Sequence, residues 1–279
     1  VITNLYGASN KAPDNFSTTI EIIGGKITNL FGGGLEASVG EVNITTNNGV
    51  EITNLFGGGD LGATLGNITI NSSANVGTLY AGANQADVTG NITLNINEGT
   101  LTNAFGGNNL KGDIGGNVFV NVNDGDIAYL YGAGNQAPDN YISTLRIVKG
   151  EIDNLYGGGL LASVGGVNIE TSAGVVIKNL FGGGDAGDTT GDITINTSAD
   201  IENLYSGANQ ANVGGNIDLT INAGTIGNAF GGNNVSGLIT GNVSVTINNG
   251  TITNLYGAGK KASDDYNSKI IVNNGNISK

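Results

Sequence analysis

The 279-residue chain predicts an all-β fold: a single-stranded parallel β-solenoid of about 11 coils, each 24–26 residues long. Three observations carry that prediction. One aromatic residue recurs at a nearly fixed interval. A stretch of strict apolar–polar alternation accompanies it in most units. Gly (50) and Asn (43) together supply one residue in three, which favours tight corners and opposes helix.

The repeat is anchored on an aromatic that follows Leu or Ala and precedes small residues: Tyr6, Phe31, Phe56, Tyr80, Phe105, Tyr131, Tyr156, Phe181, Tyr205, Phe230 and Tyr256. The spacings run 25, 25, 24, 25, 26 and then repeat in the same order. A second period of 125 residues, or five coils, follows. Pro13 and Pro138, the only prolines, lie 125 apart. The chain therefore divides into one block at 1–125, a second at 126–250 and the start of a third at 251–279, all within one continuous solenoid.

Each unit holds three pieces. The alternating stretch, as in Ile92, Leu94 and Ile96 against Thr93, Asn95 and Asn97, reads as a half-buried strand, with Leu94 in the lumen. The aromatic segment reads as a second strand. The Ala/Val stretch (Ala86 and Val88, Ala211 and Val213) reads as a third, weaker face. No unit of this length buries its own apolar side, whereas stacked units do. At a strand spacing of about 4.8 Å the coils make a rod roughly 50 Å long.

Single columns of the repeat carry further expectations. The rings should form a structural ladder, each offset-stacked on the next. Strict alternation from Ile27 turns Phe31 inward, and a bend at Asn29 reverses it. The Asn before Leu or Ala (Asn4, Asn29, Asn54, Asn103, Asn154, Asn179, Asn203, Asn228, Asn254) reads as a turn-forming ladder, because Asn tolerates left-handed backbone and can hydrogen-bond its stacked neighbour's amide. The glycines after the ring (Gly32–Gly34, Gly57–Gly59, Gly182–Gly184) read as corners needing positive φ rather than a phosphate loop, because no Lys-Ser/Thr and no helix follow. Asp60 and Asp185 are isolated acids in a column that otherwise varies, a poor cage for calcium; no metal or other cofactor is expected.

The least regular segment is Lys11-Ala-Pro-Asp-Asn-Phe16. It returns as Gln136-Ala-Pro-Asp-Asn-Tyr141 and as Lys261-Ala-Ser-Asp-Asp-Tyr266. Its aromatic looks exposed, and loops off a scaffold often carry function. Asp14, Phe16, Asp139, Tyr141, Asp264 and Tyr266 are the candidate contact residues.

Composition excludes several function classes. The chain has no His, Cys, Met or Trp, which removes thiol and histidine catalysis, Cys/His zinc sites and disulfides. A net charge of −13 with ten basic residues leaves no basic stripe for nucleic acid. No apolar run approaches 20 residues, so no membrane span is expected. A glycosidase needs two carboxylates about 5–10 Å apart. The nearest candidates, Asp113 and Asp139 one coil apart with Asp87 nearby, form no cluster that breaks the repeat. An enzyme is not expected.

Runs such as Thr-Asn-Leu-Phe-Gly-Gly-Gly from Thr28 and Gly-Asn-Ile-Thr-Leu-Asn-Ile-Asn from Gly90 resemble the parallel β-helix repeats of bacterial cell-surface adhesins and secreted fibrous proteins, over all 279 residues. The resemblance implies an extracellular rod serving as a filament or adhesin shaft. Val1-Ile2-Thr3-Asn4 begins inside a unit and Lys279 stops inside one. The expectation is that coils continue, or that copies associate end to end and sideways. A glycan-binding module is the alternative. A polysaccharide-degrading enzyme and an ice binder rank below it, the latter because the column from Thr3 and Thr28 is broken by Gly77, Ala128 and Asp153.

Overall fold

A computed structural model describes residues 1–13, 15–262 and 266–278. Two parallel sheets run the length of the chain. Sheet A has 12 strands, from Ile2–Tyr6 to Asn276–Ile277, and carries the aromatic column. Sheet B has 11 strands, from Thr18–Ile22 to Ser268–Val272, and carries the alternating stretches. The chain visits the sheets in turn, so each strand pairs with the strand one coil before and one coil after it. This is the predicted solenoid of about 11 turns.

Register places like over like. Val118, Val120 and Val122 lie beside Ile92, Leu94 and Ile96, and Ser143, Leu145 and Ile147 lie on their other side. The Ala/Val stretch makes the expected third face, as single parallel bridges from Val39 through Thr64 and Val88 to Ile114. The second block repeats them from Val164 through Thr189 and Val213 to Ile239.

The core fills the lumen between the faces. Ile44, Ile70, Leu94, Leu145 and Ile195 are fully buried, as are Leu30 and Leu55 from sheet A. Each such side chain contributes about 1.5–3 kcal/mol through burial. Two pairs of buried hydroxyls also stack: Thr46 lies 3.0 Å from Ser72 and Thr171 lies 2.7 Å from Thr197, whereas those of Thr64, Ser143, Thr189 and Ser206 are buried without a hydrogen bond. Pairing within a column removes the desolvation cost of a buried polar group.

Sheet A departs from strict alternation. Ile27 and Leu30, three residues apart, both belong to the core. The strand therefore bends between them, and its pairing with the next strand skips Thr28. The bend turns Phe31 away from the lumen, which settles the alternative that alternation left open. The rings form a second cluster outside the core.

Two backbone expectations are corrected. Among the described residues no residue other than Gly has positive φ, so the Asn columns are not left-handed corners. The glycines after the ring also lack positive φ; that conformation belongs to others, such as Gly99 and Gly112. The small residues are needed because coils approach closely. A Cβ on Gly32 would overlap the carbonyl oxygen of Gly57 on the next coil.

Leu94→Ala should lower unfolding free energy by about 2–5 kcal/mol. Leu94→Asp should cost more, because its carboxylate would be buried without a partner. Denaturant titration checks both; an unchanged Leu94→Asp midpoint contradicts the inward placement.

Candidate functional site

The aromatic column is a continuous stack. Consecutive rings lie 4.6–5.0 Å apart, with planes within 4–11° of parallel, through all ten steps from Tyr6 to Tyr256. The spacing is that of the strands, so the backbone itself presents each ring to the next. From Phe31 to Phe230 every ring except Tyr80 is at most 7% exposed.

Amide ladders flank the rings. Asn29 donates to Asn4 and Asn54 donates to Asn29 at 2.8–2.9 Å. A like ladder starts at Asn154 and runs through Asn179, Asn203 and Asn228 to Asn254. A second ladder starts at Asp60, whose Oδ1 accepts from Asn84, and rises through Asn109 to Asn135. Asp185 begins its counterpart through Asn209 and Asn234. Each bond is worth about 0.5–1.5 kcal/mol net. The isolated acids thus start amide ladders.

Polar groups two coils on reach the tyrosine hydroxyls. Asn135 hydrogen-bonds Tyr80. Lys260 Nζ donates to Tyr205 Oη at 3.1 Å and lies over the rings of Tyr205 and Phe230. Burial, reinforced by the Asp185 charge, pushes the ionisation of Tyr131 and Tyr156 well above the usual phenol range. Tyr131 and Tyr156 therefore stay neutral at physiological pH.

The irregular segments do not behave alike. Phe16 is 79% exposed, as expected. Tyr141 is buried in the core, which corrects its expected exposure. Its ring enters the lumen between the bridges of Ile114 and Val164, and the Gly134 N–H bonds its hydroxyl. A Cβ on Gly107 would overlap that hydroxyl, so Gly107 makes the room. Tyr266 is partly buried against the same core, with Gly232 in the corresponding position. Asp14 and Asp264 lie outside the described residues.

Asp139 acts within the fold. Its Oδ2 accepts from the Ile114 N–H at 2.9 Å and its Oδ1 from Asn140. Asp87 accepts from the Asp113 N–H in the same way. Partial burial pushes the Asp139 carboxyl up to about 6; the two N–H bonds oppose this, and the charges of Asp113 and Asp87 add to it.

Sequence reasoning missed Asn108 and Asn233, buried and 125 apart. Asn108 accepts from the Ala83 N–H and donates to the carbonyls of Ala86 and Gly112. Asn233 makes the corresponding bonds to Ala208 and Ala211. The signal was present: an Asn-Asn pair with Gly four residues after its first member, in both blocks.

Open grooves lie along the surface of the described residues, two of them beside the sheets' outward columns. One follows the bend of sheet A, about 540 Å³ around Thr28, Thr53, Gly77 and Thr102. The other, about 400 Å³, lies on the outer face of sheet B around Phe119 and Arg146. No helix is long and apolar enough to cross a membrane among the described residues. A scan against protein-family models matches no family, and searches of curated proteins and of solved structures find no match.

Two substitutions probe these assignments. Phe181→Ala should destabilise by about 3–5 kcal/mol, while Phe181→Tyr should stay within about 1.5 kcal/mol; paired melting curves compare them. The Asp139 carboxyl binds its proton more tightly folded (about 6) than unfolded (about 3.9). Its contribution is full below pH ~4 and lost as pH rises through about 6. Asp139→Asn should flatten the stability difference between pH 4 and pH 7, measured as melting temperature against pH.

Proposed function

We propose that this chain is a structural rod: the shaft of an extracellular filament or cell-surface adhesin, self-associating end to end and sideways. The observation that supports it best is the unbroken ring stack from Tyr6 to Tyr256. The ring column, the amide ladders and the lumen residues all contact the coils next to them. Asp139, Asp87 and Asn108 cap backbone groups.

Composition fits the setting. Lack of Cys and Met leaves little for an oxidising exterior to damage. A sheet exposed at a rod's end offers unpaired backbone that another rod can complete in register. No catalytic role is assigned.

Electron microscopy and immunolabelling of source cells test the reading together. The expected result is surface-labelled fibres with an axial repeat of about 4.8 Å in diffraction. Confinement of the chain to the cytosol as isolated monomers overturns it.

A further inference from the structure

We infer that the outer face of sheet B carries a binding site for a neutral oligosaccharide, centred on Phe119 and Arg146. This inference goes beyond the shaft reading and does not depend on it.

The outward residues of sheet B form two columns. Most positions hold Thr or Asn, as in Thr69, Asn71, Thr93 and Asn95. The pattern breaks at Glu21, and again at Asp218, Ser244, Lys269 and Ile271 towards the other end, but in the middle it changes on three consecutive strands whose residues share one groove. Phe119 follows Thr93 in one column. Arg146, the single arginine of the chain, follows Asn121 in the other, and Glu170 follows Arg146. The amide ladder that joins Asn71, Asn95 and Asn121 stops at Arg146. The 125-residue duplication does not carry the change: the positions matching Phe119 and Arg146 are Ser244 and Ile271, and Thr45 matches Glu170. The buried positions of the same strands are kept, with Leu94 matched by Leu219 and Val120 by Val245.

These residues share one groove of about 400 Å³, extended by Asn168, Thr194 and Asn196. Four strands make its floor, so it runs roughly 14 Å along the rod by strand spacing. That length suits a short chain of sugars rather than a single one.

Chemistry narrows the ligand. The strands beneath the groove are paired on both sides. Their backbone offers nothing to an added peptide strand, so recognition falls to side chains. Phe119, 36% exposed, presents an apolar ring surface to the C–H face of a pyranose. Sugar hydroxyls both donate and accept. Arg146 supplies a planar fork of donors, Glu170 supplies acceptors, and the Asn side chains supply both. Arg146 and Glu170 on adjacent strands cancel in charge, and this favours a neutral ligand over a uronate or a phosphate.

Calorimetry with cello-, xylo- and chito-hexaose, and with hexagalacturonate as the anionic comparison, tests the site. Saturable binding of at least one neutral hexaose is expected. Phe119→Ser and Arg146→Gln should each weaken it by about tenfold or more, while Thr45→Ala, far along the same face, leaves it intact. Melting temperatures of all three variants should match the parent, which separates a lost site from a lost fold. Absence of binding by every neutral hexaose overturns the inference. So does binding that survives Phe119→Ser and Arg146→Gln, or binding of hexagalacturonate alone. Sedimentation of the same variants reports assembly separately, so failure of the site and failure of the shaft reading are distinguishable.

Discussion

Parallel backbone pairing at one strand spacing fixes where every side chain sits, because each residue must lie beside its counterpart one coil away. What a residue can be then depends on how well it neighbours its own kind. Rings and amides do this well: a ring stacks on a ring at 4.6–5.0 Å, and an Asn amide donates to the carbonyl oxygen of the next. Carboxylates do it badly. Asp60 and Asp185 are each followed by Asn, which donates to them. Where acids do stack, as Asp87, Asp113 and Asp139, burial chiefly makes Asp139 hold its proton more tightly, and the charges of the other two add to it.

The same constraint explains the glycines. Coils meet face to face after the ring, and a carbonyl oxygen of one coil occupies the place a side chain on the other would take. Glycine serves close approach there, as it serves positive φ at Gly99 and Gly112. The two demands give the same letter in the sequence, so composition alone could not separate them.

The period, the parallel pairing and the inward side of the alternating strands were legible because each is a one-dimensional pattern that stacking repeats. Placement within a coil was less so. The bend in sheet A was open because the apolar spacing Ile27, Leu30, Phe31 fits either side of Asn29 until the neighbouring strands are in place. Phe16 and Tyr141 occupy the same motif yet differ in burial. Tyr141 finds the space above Gly107, on the preceding coil, so its burial depends on the neighbouring coil and not on the motif alone. Asn108 is one of 43 Asn residues, and only its burial marks it as a clamp with three bonded partners.

A rod this regular also changes how its irregularities should be read. In the lumen, substitution is confined to shapes that stack, and the two blocks agree there: Ile70 with Ile195, Leu94 with Leu219, Asn108 with Asn233. On the outer faces the stack tolerates almost any residue, so one unusual side chain says little. Tyr129 illustrates this: it interrupts an amide ladder, and Asn154 turns to the Ala128 carbonyl instead. Several unusual side chains on consecutive coils, of complementary chemistry and lining one groove, are a different matter. Stacking gives no reason for them to coincide, since each column is filled independently of its neighbour. In a solenoid the evidence for binding therefore lies across columns, in groups of residues that the repeat itself would never place together.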